Sequence, residues 1–161
     1  MFMADIAAMA RKVQTECLYT RARQVVRLLS RIYDDGLAPL ELEGTQFTVL
    51  IGVSRFGETG APIGKLADKL FMDRTTLTRN IGPLEKADLL RVARSPRDAR
   101  VKVLLLTRNG ERAIADGMAR WERAQAEVKA RLGSARAERL VAELEAARDQ
   151  LGAAAAGRPR P

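Results

Sequence analysis

Apolar residues recur at three- and four-residue intervals along most of the chain, a spacing that predicts a succession of amphipathic helices. Phe2, Ile6, Met9 and Val13 mark a short N-terminal helix that would need a partner surface. Leu18, Ala22, Val25, Leu29 and Ile32 form one stripe from about Thr15 to Asp35, and Gly36 is expected to stop it. Another helix is expected from about Leu42 or Thr45 to Phe56, ended by Gly57-Glu58-Thr59-Gly60. A short one follows over about Gly64 to Phe71, with Leu66, Ala67 and Leu70 inward. Asp73 then caps a fourth, in which Leu77, Ile81 and Leu84 keep the helical period across an internal Gly82-Pro83.

From Leu89 the period changes. Val101, Val103 and Leu105 alternate, and Ser95-Pro96-Arg97-Asp98 carries turn chemistry with Pro at the second position, so two strands joined by a turn are expected. Thr107 can cap a long helix bearing Ile114, Met118, Trp121, Gln125, Val128 and Leu132 at roughly heptad spacing. Gly133-Ser134 breaks it, and a last helix uses Leu140, Val141, Leu144, Ala147 and Leu151. The tail from 153 to 161 has little to pack and is expected to be disordered.

Charge sharpens this picture through its location. The chain carries a formal +8, and between Ala61 and Gly110 eleven Lys and Arg face five acids, a local +6. Concentrated positive charge is what phosphate neutralisation requires, although a solvated basic surface has the same composition. The other classes recede. There is no His, so the commonest acid–base catalyst and metal ligand is absent; one Cys cannot build a thiolate metal cage, and no Gly-rich phosphate loop follows a strand. An enzyme, a cofactor and a bound metal are therefore not expected. No apolar run approaches the length of a bilayer, no signal-peptide pattern opens the chain, and the lone Cys points to no oxidising compartment, so the reading is a cytoplasmic protein without membrane contact.

Helix, short helix, tight turn, helix and hairpin together make a winged helix-turn-helix, in which one helix enters a major groove and presents only its outward face. With Leu77 as the centre of the core side, Thr75, Arg79, Gly82, Pro83 and Lys86 fall within about 60° of the opposite side at 100° per residue. Thr76, Thr78 and Asn80 flank them, with Arg74 at the helix start. Short hydroxyls, an amide and guanidinium groups suit base edges and phosphates; an ordinary solvated helix face is the bland alternative. Arg94, Arg97 and Arg100 gather at the hairpin turn, where the negative potential of a narrow minor groove attracts guanidinium groups, and Asp98 can hold one of them. Pro83 costs roughly 3 kcal/mol inside a helix, and Gly82, lacking a Cβ, relieves the clash before it. A kinked helix is expected, with its reading residues before the kink at Arg74 to Asn80. The alternative is two helices in succession, with Gly82 as cap and Pro83 and Glu85 at the first and third positions.

Two stretches resemble a known family. "DARVKVLLLTRNG", Asp98 to Gly110, is similar to the wing signature of the multiple-antibiotic-resistance regulator (MarR) family: Asp-x-Arg, five residues, Leu-Thr, two residues, Gly. Upstream, "PIGKLADKLFMDRTTLTRNIGPLEKADLL" resembles the paired helices of that family, and the resemblance extends over about Val25 to Val128. It implies a mainly α fold with a small β-hairpin wing, in which a winged helix-turn-helix over 41–107 is flanked by dimerisation helices over 1–40 and 108–152. It implies a homodimer on a pseudo-palindromic operator in double-stranded DNA, usually a repressor, released by a small effector or an oxidant. A winged helix serving protein contact or DNA packaging, without sensing, is the competing class.

Two sensors are open. Cys17 lies where the hydroperoxide-sensing members of the family carry a reactive cysteine, but "ECLYTRAR" departs from their Cys-Phe-x-Leu/Val-Tyr context, and "GTQFTVLIGV" lacks their second-helix tyrosines. Arg21, one turn on, is expected to favour a thiolate; a small buried hydrophobe is the usual fate of a free Cys. The other sensor is a pocket for an aromatic or phenolic ligand. Position in the resembling fold places Cys17, Phe47, Ile51 and Arg55 on its lining, with Arg21 able to pair with a carboxylate.

Overall fold

The computed structural model describes the backbone of residues 2–155 and the side chains of residues 5–153, and the described residues form seven α-helices and three short strands. The order is α1 (Phe2–Glu16), α2 (Leu18–Leu37), α3 (Gly44–Ser54), β1 (Ala61–Pro62), α4 (Ile63–Lys69), α5 (Arg74–Lys86), β2 (Leu90–Arg94), β3 (Lys102–Leu106), α6 (Arg108–Leu132) and α7 (Ser134–Ala155). α7 runs into the expected tail, and residues 156–161 lie outside the described residues.

Two expected boundaries move. The helix predicted from Thr15 begins at Leu18, because Cys17 adopts an extended ψ of 106° that separates α1 from α2. No Gly or Pro announces that break in the sequence. Gly36 does not stop α2, which continues to Leu37 before a 3-10 turn over Ala38–Leu40 with Pro39 inside it. Gly36 serves packing instead. A Cβ there would meet the Ala124 Cβ at 3.5 Å, so a bare backbone on α2 faces a small side chain on α6.

The core lies within the central unit. Phe47, Val49, Leu50 and Val53 of α3, Leu66 and Ala67 of α4, and Leu77, Ile81 and Leu84 of α5 pack with Leu37, Leu90 and Leu104. The antiparallel sheet has the order β1-β3-β2, with Ala61 opposite Leu104 and Leu90 opposite Leu106. β1 was not expected: two residues, one of them Pro, carry no periodicity. β3 departs from simple alternation as well. Val103 and Leu104 are both buried, since the central strand is covered on two sides, while Val101 is exposed and lies before the strand. On one side Val103 and Leu105 occupy the space over Gly60, where a Cβ would come within 3.0 Å of both.

The flanking helices leave apolar surface open. Ile6, Met9 and Val13 on α1, Leu18, Val25 and Leu28 on α2, and Val141, Leu144 and Leu151 on α7 are all exposed. The heptad-like row of α6 is divided. Small residues (Gly117 and Ala124) and Val128 are buried, whereas Met118 and Trp121 are exposed. Among the described residues no helix is long and apolar enough to cross a membrane, and no cluster of three His, Cys, Asp or Glu could hold a metal ion.

Candidate nucleic-acid interface

The α4–α5 turn sets the angle of α5. Phe71 adopts φ 52°, in the left-handed region, as the Met72 N–H closes onto the Ala67 carbonyl at 3.0 Å. Asp73 then caps α5: its Oδ1 accepts from the Thr76 N–H at 2.8 Å and its Oδ2 from the Thr76 hydroxyl at 2.6 Å. Those bonds, the hydroxyl's first and then the amide's, hold the Asp73 carboxyl below its ordinary value. α5 is a single helix through Pro83, so the two-helix alternative does not occur. Leu77, Ile81 and Leu84 anchor it to the core, and Thr75, Arg79, Gly82, Pro83 and Lys86 all face solvent. The freed carbonyl of Arg79 thus lies on a solvated side of the helix, and nothing lies within 4 Å of where a Gly82 Cβ would stand.

The side chains named from sequence separate into two sets. Thr78 donates to the Arg74 carbonyl at 2.7 Å, Asn80 to the Thr76 carbonyl at 2.9 Å, and the Thr76 hydroxyl to Asp73. Both hydroxyl protons and one of the two Asn80 amide protons are committed to the helix or its cap, as short polar side chains in helices often are. Arg74, Thr75, Arg79 and Lys86 are exposed and make no side-chain hydrogen bond or ion pair among the described residues.

The hairpin is more ordered than its composition suggests. Its reverse turn lies over Asp98–Val101, closed by the Val101 N–H on the Asp98 carbonyl at 2.9 Å, and not over Ser95–Asp98. Pro96 instead follows a second closure, from the Ser95 N–H to the Val101 carbonyl at 2.8 Å. Asp98 holds Arg100: its Oδ1 accepts from the Arg100 N–H at 3.0 Å and from Nε at 3.2 Å, which keeps the Asp98 carboxyl below its usual range. Arg94 donates to the Ala99 carbonyl at 2.8 Å. The Arg97 side chain has no such partner among the described residues. At the base of the wing, Thr107 caps α6 by accepting from the Gly110 N–H at 3.0 Å, while its hydroxyl donates to the Asp88 carbonyl at 2.6 Å.

The expected sensor residues do not come together. A cavity of about 530 Å³ opens between α2, α3 and α6, and only Phe47 and Ile51 of the expected set line it. Cys17, Arg21 and Arg55 do not. Arg55 falls just past the last residue of α3, and Cys17 and Arg21 sit at the far end of α2 from its cavity-lining segment, Val26 to Leu37. Tyr33, Asp34, Met118 and Trp121 line the cavity and were missed. They come from helices far apart in sequence, and no spacing rule joins them. Cys17 is the N-cap residue of α2. No capping hydrogen bond of ordinary geometry forms there, but the Thr20 hydroxyl, then the Thr20 and Tyr19 amides, favour the thiolate and hold the thiol below its ordinary 9.0. Arg21 is not among the groups responsible.

Comparison with known proteins bears on this geometry. The MarR family model matches residues 40–101, from the end of the 3-10 turn to the tip of the wing, just before β3. The M. tuberculosis transcriptional regulator MosR, solved in complex with DNA, is 34% identical; the match covers 84% of this chain and 98% of MosR, with a TM-score of 0.70. The HTH-type transcriptional regulator YhbI of Bacillus subtilis (strain 168) is 28% identical over 99 residues, so the match spans 62% of this chain and 63% of that relative. BpsR of Bordetella bronchiseptica, at 21% identity and a TM-score of 0.74 over 84% of this chain and 95% of its own, shares the fold. A capped, basic-faced α5, a wing braced by its Asp-x-Arg turn and these matches together place the chain in the MarR family of DNA-binding transcriptional regulators.

Proposed function

We propose that the chain acts as a homodimeric repressor that reads a pseudo-palindromic operator through α5 and the wing. The observation that carries this reading is the set of exposed, uncommitted groups on α5: Thr75, Arg79 and Lys86 on its outward face, with Arg74 at its start. Arg74, Arg79 and Lys86 supply phosphate or guanine contacts, and Thr75 a short hydroxyl. Thr76, Thr78 and Asn80 keep acceptor oxygens for base amino groups. In the wing, Asp98 positions Arg100, the Ala99 carbonyl positions Arg94, and Arg97 reaches out unpaired.

The open apolar stripes on α1, α2 and α7 support the dimer, since one chain leaves them in water. Dimerisation sets two α5 helices into successive major grooves roughly one DNA turn apart. The cavity between α2, α3 and α6 is the effector site in this reading, because a ligand there touches both a dimerisation helix and the core of the DNA-binding unit. DNA binding by BpsR is regulated by 6-hydroxynicotinic acid, a precedent for effector control on this fold.

Operator mapping on genomic fragments followed by Arg79→Ala tests the proposal. The substitution should cost about 1–3 kcal/mol of operator affinity and relax base preference. Unchanged discrimination between operator and random DNA would remove α5 as the reader.

A second reading, release by oxidation, is favoured by the N-cap position of Cys17 and its lowered thiol pKa. Peroxide that still releases DNA from Cys17→Ser would eliminate it.

A further inference from the structure

Among the described residues, the cavity between α2, α3 and α6 is lined by one charged side chain, and its sign is negative. Asp34 lies on its wall, and no described Lys or Arg lines it. Asp34 Oδ1 accepts from the Gly44 N–H at 2.7 Å, at the first residue of α3, while its other oxygen has no hydrogen-bond partner among the described residues. The same cavity is lined by Tyr33, Phe47, Trp121 and Met118, three aromatic residues and a thioether. Two of the donors a carboxylate ligand would seek are already committed. The Tyr33 hydroxyl donates to Gln125 Oε1, and the Thr48 hydroxyl donates to the Gly44 carbonyl at 2.9 Å. Burial raises the Tyr33 pKa, so its ring stays an uncharged wall.

Aromatic faces around a carboxylate attract organic cations, because ring quadrupole and negative charge act in the same direction. A carboxylate ligand meets the opposite arrangement: a like charge, no cationic partner among the described residues, and only the short hydroxyls of Ser30 and Thr45 free to donate. We infer that this cavity selects aromatic molecules bearing a positive charge over their carboxylate counterparts, with Asp34 as the discriminating residue. The inference rests on the reading of the cavity as the effector site, and it reverses the expectation of an anionic phenolic ligand paired with Arg21. The cavity of about 530 Å³ accommodates a bicyclic molecule. The preference also runs against the formal +8 of the whole chain, so it cannot arise from the overall field.

Three probes with one ring system test it on the full chain: 1-naphthylmethylammonium, 1-naphthalenemethanol and 1-naphthoate, titrated by calorimetry. Quenching of Trp121, the single Trp of the chain, gives a second readout. The ammonium should bind at least about ten-fold more tightly than the naphthoate. Asp34→Asn keeps an oxygen for the Gly44 N–H. It should weaken the ammonium about ten-fold, leave the alcohol within about two-fold, and improve the naphthoate. Naphthoate binding as tightly as the ammonium, or an ammonium affinity indifferent to Asp34→Asn, overturns the charge preference. Met118→Trp, which fills the cavity, tests the underlying reading separately. If it leaves all three affinities unchanged, or if none of the probes binds the parent chain, the cavity is not an effector site and the inference falls with it.

Discussion

Gly110 closes the wing signature, and the structure supplies the reason for a glycine there. It sits in the first turn of α6, where its N–H donates to the capping Thr107. A Cβ at this position would stand 1.9 Å from the Leu89 carbonyl oxygen, 3.0 Å from its carbon and 3.1 Å from Leu106 Cδ2. The obstacle is backbone, and it is held in place: the Leu89 carbonyl accepts from the Thr107 N–H at 3.2 Å, and the Asp88 carbonyl accepts from the Thr107 hydroxyl at 2.6 Å. Gly110→Ala therefore sets two effects against each other. Alanine gains about 1 kcal/mol of helix propensity. Overpacking against a fixed neighbour costs about 1–3 kcal/mol, and parting α6 from Leu89 loses one or two hydrogen bonds at about 1 kcal/mol each. At 1.9 Å the contact is far inside van der Waals distance, so the upper end of the overpacking range applies, and with the lost hydrogen bonds the net loss is about 3–4 kcal/mol. For a chain of this size that lowers the melting temperature by roughly 6–16 °C. Circular-dichroism melts and urea titrations at one fixed protein concentration measure it, because self-association would couple to unfolding. A melting temperature equal to or above the parent's would refute the steric argument, since propensity alone predicts a gain.

Gly117→Ala meets a ring where Gly110→Ala meets backbone: its Cβ would fall 2.3 Å from Phe47 Cε2. The ring can tilt, so a smaller loss of about 1–2 kcal/mol is expected, with weaker binding of any cavity ligand because Phe47 lines that space; parental stability in urea would count against it. Asp73→Asn tests the cap through pH. The Asp73 carboxyl is depressed in the fold, so its stabilising effect is fully present above its ordinary 3.8 and is lost as pH falls through the lower folded value. The variant should melt below the parent at neutral pH, with the gap closing in acid; a gap that ignores pH would exclude the charge. Arg100→Ala breaks an ion pair whose side chains are 92% and 42% exposed, so the melting temperature should hold while operator affinity and its salt dependence fall in titrations across salt concentrations. Retained affinity would take Arg100 out of the interface.

The DNA-binding unit was largely legible in the sequence because its signals are local. An Asp cap, an apolar row at Leu77, Ile81 and Leu84, and a Thr cap at Thr107 each act within one helical turn, and each appears where the spacing placed it. The polar face of α5 follows from the same periodicity. Distinguishing its free side chains from its committed ones did not, because Thr78 and Asn80 choose the carbonyl one turn back only once the helix exists.

What the sequence by itself determined is the set of elements with a strong period and a recognisable cap, together with the sign of the surface they present. Tertiary structure decided everything that depends on neighbours remote in the chain. Pairing to the central strand makes Ala61–Pro62 a strand, and a helix face on α6 turns Gly36 from a stop signal into a packing site. The cavity belongs to the same class. Asp34, Phe47 and Trp121 lie on three different helices, and only their packing puts an acid, and not the expected arginines, on its wall. Local propensity acts over a few residues, whereas a cavity's charge is set by which side chains three helices bring to one place.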